Sequence, residues 1–355
     1  MKIGILTFSR TTNYGAILQC YALQRILQRE GYNVSVINYK QPYIEIYSSP
    51  FSWGYIWIHR YHPGNIFRYI RSYQKRKNIY IKFKNFKKNF INDTKPCNNK
   101  NIPKDFDLYI IGSDQLWTKD HTGGKFDKIF FGYFKRNCNS KVFSYAISCN
   151  NNSIEFLLKR KDFDIKNNFQ ILSFREENIA KKVSKEYNTK TRTDIDPTLL
   201  ADENIWKPLI NKEWSKKQYI AIYQARTIPG YENEIANKAA LLANKMNIEV
   251  IDLSSYQYSP SDFVSIIKYA HCIFTSSFHG LAFSLIFNKP FYVFSLDDGH
   301  DGRCIDLLNR LDITHNIISI KSKVNEIKYL DYKRINSELD KLREHSINYI
   351  KSIEI

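Results

Sequence analysis

A chain of 355 residues, 43% of them hydrophobic, is long enough for about two domains of ordinary size, each with its own core. No apolar run approaches the ~18 residues of a membrane helix, and the run after Lys2 (Ile3 to Leu6) is far shorter than a signal-peptide core, so a cytoplasmic protein is expected. The net charge of +18 invites nucleic acid, but no DNA- or RNA-binding motif accompanies it, and the scattered Cys20, Cys97, Cys138, Cys149, Cys272 and Cys304 show neither disulfide-framework nor zinc-site spacing.

In chain order, residues 3–8 (IGILTF) read as a strand, 15–30 as a helix and 33–38 as a strand. Gly64 to Phe90 then carries nine Lys/Arg and no acid, half of the chain's surplus of +18. Apolar residues at Ile66, Ile70, Tyr73, Tyr80, Phe83, Phe86 and Phe90 keep close to helical period, so one amphipathic helix with a basic face is expected over 66–90. Two readings suit that face. One is a solvated surface. The other is reversible, peripheral contact with an anionic membrane at its inner face, with Lys75, Arg76, Lys77, Lys84, Lys87 and Lys88 toward the lipid.

Strands follow at 107–111 (DLYII), near 141–146 and at 169–174. In DIDPTLL (194–200), Pro197 disfavours helix at Asp196, and a domain boundary is placed there. The alternation then restarts: strand 218–224, helix 231–246, strand 248–253, helix 260–269, strand 271–275, helix 278–287, strand 291–295, helix 303–311, strand 316–320. Strands separated by helices imply parallel sheets with right-handed crossovers. The expected fold class is α/β, two Rossmann-like doubly wound domains facing across a cleft. They comprise 1–197, with a basic helical insertion at 43–101, and 198–325, followed by a C-terminal helix within 326–355 that packs back on the first domain.

Ligands of such sheets collect at the carboxyl ends of the strands. The unusual residues falling there are Asn13-Tyr14-Gly15-Ala16, Gly112-Ser113-Asp114-Gln115, Arg175, Arg226, His279 and Arg303. Taken singly each has a structural explanation: turn glycines at Gly15 and Gly112, a helix cap at Asp114, surface ion pairs at Arg175 and Arg303, a junction histidine at His279. Taken together, three arginines, a histidine and two helix starts make an anion site.

The stretches NYGAILQCYALQRIL, DLYIIGSDQLW, DPTLL, SPSDFVSIIKYAHCIFTSSFHGLAFSLIFNKPF and GRCIDLLNRL lie in that order between Lys2 and about Leu311, and they resemble the polysaccharide pyruvyl transferase family. The resemblance implies a GT-B-like pair of Rossmann-like domains. It also implies transfer of a pyruvyl group from phosphoenolpyruvate to hydroxyls of a sugar in a surface polysaccharide, an exopolysaccharide or capsule, or in its lipid-linked precursor, giving a pyruvate ketal. On that resemblance His279 in SSFHG matches the phosphoenolpyruvate-binding histidine and Arg175 in SFREE an essential arginine; residues 43–101 match nothing assignable.

In ketal formation C3 of the enolpyruvyl group takes a proton, positive charge develops at C2, and sugar hydroxyls add there as phosphate leaves. An acid, a clamp for phosphate and carboxylate, and a base serve that chemistry. Arginine offers a planar fork for either anion, and histidine changes charge near neutral pH. His279 is read as a phosphate clamp with proton donation to the leaving phosphate as a second role. Asp114 is a candidate base for a sugar hydroxyl, with acceptor orientation and helix capping open beside it. Asn13, Tyr14, Gly15, Ser113, Gln115, Arg226, Ser276, Ser277, Gly280 and Arg303 complete the expected binding set, Gly280 leaving room for the anion to approach. No cofactor beyond the donor substrate and no metal is expected, because no DxD or His/carboxylate pattern demands one. His59, His62, His121, His271, His300 and His315 keep structural readings, although His300 and Asp301 lie in a loop within reach of the same place. Two other functions stay open: a GT-B glycosyltransferase using a nucleotide sugar, and a non-catalytic glycan- or membrane-binding member of a polysaccharide assembly system.

Overall fold

The computed structural model describes residues 1–160, 162–296 and 301–353. The chain divides into two compact units, one made of Met1–Pro197 and the chain end from Asn348, the other of Thr198–Ile347. The first unit is built on an all-parallel sheet of β1 (Lys2–Leu6), β2 (Asn33–Val36), β3 (Leu108–Asp114), β4 (Lys141–Ile147), β5 (Leu172–Phe174) and β6 (Thr191–Thr193), in the spatial order β2-β1-β3-β4-β5-β6. Ile5 lies between Val36 and Ile110, which sets the register of the central three strands. The second unit holds β7 (Tyr219–Tyr223), β8 (Glu249–Asp252), β9 (Cys272–Thr275), β10 (Phe291–Ser295) and β11 (Ile317–Ser319), also all parallel, in the order β11-β10-β9-β7-β8. Strand order therefore reverses between β1 and β3 in one sheet and between β7 and β9 in the other.

Parallel strands covered on both faces read as continuous apolar runs, and every residue of β3, β7 and β9 is buried. The short β6 (TRT) carries no such run and is only half-buried, which is why its sequence did not announce it. The helix Tyr14–Arg29 is buried nearly all round. One side of it faces the sheet, and aromatic side chains of the helix Tyr73–Phe90 meet it on another: Phe83 lies 5.2 Å from Tyr14 and Phe86 6.0 Å from Tyr21, ring to ring.

The expected single basic helix over 66–90 is two helices, Pro63–Arg71 and Tyr73–Phe90, parted at Ser72 and preceded by short helices at Pro42–Ser48 and Trp53–Ile58. The break is held by Arg76. Its guanidinium lies 3.4 Å over the Tyr69 ring and donates to the carbonyls of Tyr69 (2.7 Å) and Pro50 (2.7 Å), and burial pulls it below the usual arginine value. Lys87 is likewise turned inward, onto Asp93 (3.0 Å) and Asn38 (2.9 Å). Two of the six cations expected to face lipid are thus internal fastenings.

The helix Tyr332–Lys351 ends in the first unit. Tyr349 is fully buried there, parallel to Tyr145 at 6.0 Å and under the Arg192 guanidinium at 4.1 Å, and its hydroxyl donates to the Ser144 carbonyl at 2.8 Å. Burial raises that hydroxyl's pKa well above the usual tyrosine value, so it stays a donor. Tyr349→Ala is expected to lower the unfolding free energy by about 3 kcal/mol or more, and Tyr349→Phe, which keeps the ring and gives up one hydrogen bond, by about 1 kcal/mol. Urea denaturation of both variants against the parent measures the pair.

Candidate functional site

In the first unit the reversal between β1 and β3 brings the loop Thr7–Asn13 beside Ser113 and Asp114. Thr7 Oγ1 donates to the Ser113 carbonyl (2.8 Å) and accepts from Gln19 (2.8 Å), which ties the loop to the strand end. Gly112 has φ +135°, and a Cβ there would collide with the Tyr145 carbonyl oxygen, so glycine is required for β3 and β4 to lie this close. Asp114 follows with φ +93°, a value rare outside glycine. Its carboxylate accepts from the Gln115 N–H (2.8 Å), and its carbonyl accepts from the N–H groups of Leu116 (2.8 Å) and Ser148 (2.9 Å). No α-helix starts at Asp114. A turn and the 3-10 segment Lys119–Thr122 follow instead, so the capping role expected for it is replaced by a turn that holds the carboxylate at the sheet edge.

Arg175 leaves the carboxyl end of β5 and is buried, which removes the surface reading of it. Its Nη2 donates to Ser113 Oγ (2.7 Å) and pairs with Asp196 Oδ2 (2.5 Å), and Asp196 is itself inaccessible. Sequence reasoning singled out Arg175 but not Asp196, its partner in DPTLL. It also passed over Glu176, buried next to Arg175 and accepting from Ser148 Oγ (2.6 Å), and His121, which meets Gln115 at 2.9 Å. Asn13 caps the helix that follows, its side chain accepting from the Ala16 N–H at 3.1 Å. Tyr14 and Gly15 are buried in that helix, Tyr14 against Phe83, so this structure gives both a packing role.

Beside the same loop lies a cavity of about 290 Å³ that no sequence motif signalled, lined by Ser9, Arg10, Thr12, Glu45, Tyr80 and Lys84 among others. Arg10 grips Glu45 through two hydrogen bonds (2.5 and 2.9 Å) and donates to Asn38 (2.8 Å). The buried Ser9 Oγ has no hydrogen-bond partner among the described residues.

In the second unit the reversal between β7 and β9 brings Gln224–Arg226 beside Ser276–His279. The helix Phe278–Ile286 starts directly at the strand end, with Ser277 at its cap position. Thr275 Oγ1 donates to the Tyr223 carbonyl (2.6 Å) and accepts from the Ser277 N–H (3.0 Å). A Cβ on Gly280 would run into that Thr275 side chain. The glycine is therefore demanded by helix packing on its own strand, and the expected reason, space for a ligand, is replaced by this one.

His279 is buried in the first turn, its ring 5.2 Å from Phe278, and the Arg303 guanidinium sits 5.6 Å over Phe278. Arg226 donates to Asp301 Oδ1 at 2.6 Å, while Asp301 Oδ2 accepts from Ser295 Oγ (2.9 Å) and the Leu296 N–H (3.0 Å). Asp301 thus organises the cationic corner, a part only glimpsed in the sequence; His300 lies outside the described residues. The buried Ser276 Oγ has no hydrogen-bond partner among the described residues. Burial pushes the thiols of Cys20, Cys272 and Cys304 up to about 12, so none of these is a thiolate at neutral pH. Among the described residues no group of three His, Cys, Asp or Glu side chains is placed to hold a metal ion.

Two parallel α/β units, each with polar side chains gathered where its strand order reverses, define a pair of doubly wound domains. The sequence matches the model of the polysaccharide pyruvyl transferase family over residues 13–298, and the chain belongs to that family. No curated protein matches the sequence. Solved structures it is similar to include the UDP-GlcNAc 2-epimerase of Neisseria meningitidis bound to UDP-GlcNAc, with 11% identity, 100% of this chain and 95% of that one covered, and a TM-score of 0.45. Another is the UDP-GlcNAc 2-epimerase of Methanocaldococcus jannaschii in complex with UDP-GlcNAc and UDP, with 11% identity, 97% and 93% coverage and a TM-score of 0.45. A third is Arabidopsis thaliana UGT89C1, with 12% identity, 99% and 95% coverage and a TM-score of 0.43. Likeness at this level says nothing of what the chain binds.

The Arg175–Asp196 pair sets a test of its own. Removing one partner of a buried ion pair strands the other, so Arg175→Ala is expected to cost about 3 kcal/mol or more of stability. An exposed arginine would cost within about 0.5 kcal/mol. Chemical denaturation of the variant separates the two outcomes.

Proposed function

We propose that the protein transfers a pyruvyl group from phosphoenolpyruvate to two hydroxyls of a sugar in a surface polysaccharide or its lipid-linked precursor, closing a ketal. Family membership supplies the reaction class. The observation that carries the donor assignment is the corner of the second unit where a helix starts at His279 beside the buried Ser276 hydroxyl, Arg303 lies over Phe278, and Arg226 is held by Asp301. Helix-start N–H groups and two guanidinium forks suit phosphate and carboxylate together. Ser277 and the Gly280 N–H belong to the same turn.

Protonation at C3 makes C2 electrophilic; one hydroxyl adds, and a second displaces phosphate. Of the two protons the hydroxyls give up, one balances that taken by C3 and one leaves with phosphate. His279 is assigned to the phosphate, as clamp and proton donor. Asp114 is assigned to the acceptor hydroxyl as base, with Asn13, Ser113 and Gln115 at the same edge of the first sheet. Arg175 acts in this reading as a positioning residue: its bond to Ser113 holds the turn that presents Asp114. The cavity beside Arg10, with Glu45, Asn38 and the Tyr80 ring, offers the mixture of carboxylate, amide and aromatic groups that sugars need, and is assigned to the acceptor.

Phosphoenolpyruvate is expected to raise the melting temperature while UDP-sugars do not, and mass spectrometry of candidate glycans with enzyme and phosphoenolpyruvate is expected to show a pyruvyl ketal. A shift with UDP-sugars and none with phosphoenolpyruvate overturns the reading. His279→Ala is expected to abolish the donor-induced shift and to lower turnover by about 10²-fold or more, with the unliganded melting temperature kept. Asp301→Asn gives a further check: loosening Arg226 is expected to raise KM for phosphoenolpyruvate about tenfold, the loss of one charged hydrogen bond, with a smaller change in kcat.

A further inference from the structure

Of the sixteen large hydrophobic side chains exposed among the described residues, ten fall between Tyr47 and Ile81, in the part of the insertion that lies mostly outside the lining of the proposed acceptor cavity. Trp53 is 75% exposed, Trp57 69%, Tyr61 77% and Phe67 65%. Single exposed hydrophobics need no explanation, but a contiguous set does. Here the exposed side chains group around shared rings and helix faces. Phe51 meets Trp53 ring to ring at 5.3 Å and Tyr69 at 6.3 Å, Tyr69 stacks on Tyr55 at 3.9 Å, and Arg60 lies over both Trp57 (4.6 Å) and Tyr61 (4.4 Å). Trp53 and Trp57 are one helical turn apart and share a face of Trp53–Ile58; Phe67 and Ile70 share one of Pro63–Arg71.

From Phe51 to Lys82 the chain carries seven Lys/Arg and no Asp or Glu. We infer that this insertion is a docking surface for an anionic lipid bilayer, seated with the tryptophans and phenylalanine in the interface and the arginine and lysine heads at the phosphates. Indole rings suit the headgroup boundary, and long cationic side chains lie along apolar surface with their charges in water. The helices are too short and too polar to cross; no helix among the described residues is long and apolar enough to span a membrane. A second copy of the chain fits this face poorly, because a two-fold contact would set one group of cations against another with no acid between them. The location differs from that expected of the basic helix alone: Arg76 and Lys87 are internal, and the exposed cations nearest the aromatics are Arg60, Arg68, Arg71, Lys75 and Lys77. The inference does not rest on the reaction proposed above.

The tryptophans make the test direct, since of the five Trp117 and Trp206 are fully buried, Trp214 is half-buried, and Trp53 and Trp57 are well exposed. The full-length protein is mixed, without donor or acceptor, with vesicles of phosphatidylcholine alone and of equal parts phosphatidylcholine and phosphatidylglycerol. Co-sedimentation with the mixed vesicles, a blue shift of tryptophan emission, and weakening of both by salt are expected. Trp53→Ala with Trp57→Ala is expected to cut partitioning about tenfold or more, and Arg71→Gln with Lys75→Gln and Lys77→Gln to cut it similarly, with melting temperatures unchanged. Absence of binding to the mixed vesicles, full binding by the tryptophan variant, or a blue shift produced by self-association or by a single-stranded oligonucleotide in place of vesicles overturns the inference.

Discussion

A parallel sheet covered on both faces leaves its strand ends as the only edge where polar side chains gather without burying unmatched groups, and that constraint organises both units. Where successive strands move to opposite sides of a central strand, the connecting loops part and leave a crevice. In the first unit the parting lies between β1 and β3, and Thr7, Ser113 and Asp114 fill it; in the second it lies between β7 and β9, and Thr275, Ser276 and His279 fill it. Both edges use a hydroxyl on the last strand residues to tie the next turn, and both use a glycine where another group comes too near for a side chain.

The large positive charge is not one property but several. Arg175 is spent on Asp196 inside the first unit, Arg192 on Asp194, and Arg10 on Glu45, each within 2.5 to 2.9 Å. Arg76 fastens a helix break and Lys87 a loop. Arg226 is directed by Asp301 rather than left to the solvent. What remains for the surface is concentrated in the insertion, next to exposed aromatic rings. Buried pairs and exposed cations obey different physics: the former are strong because losing one partner strands the other, the latter are weak singly and matter only as a field.

The alternation of strand and helix and the placement of Arg175, Arg226 and His279 just past strand ends were legible because continuous apolar runs and helical periodicity depend on near neighbours in the chain. Family membership was legible for a related reason, since its motifs sit at those strand ends in order. The three-residue β6 was not legible, having no apolar run, and the break at Ser72 was not, because it depends on Arg76 reaching back to Tyr69 and Pro50. Periodicity marked Ile70 and Tyr73 as an apolar face and had no means of telling that this face meets solvent.

The sequence by itself determined that two doubly wound parallel α/β units would form and which polar residues would stand at their carboxyl edges, because hydrophobic pattern and turn chemistry are local. Only the tertiary structure decided the partners: Asp196 for Arg175, Asp301 for Arg226, Thr275 against Gly280, and open solvent for Trp53 and Trp57. Those choices join residues far apart in the chain or set side chains against other elements, and they follow from strand order and packing, which no local pattern encodes.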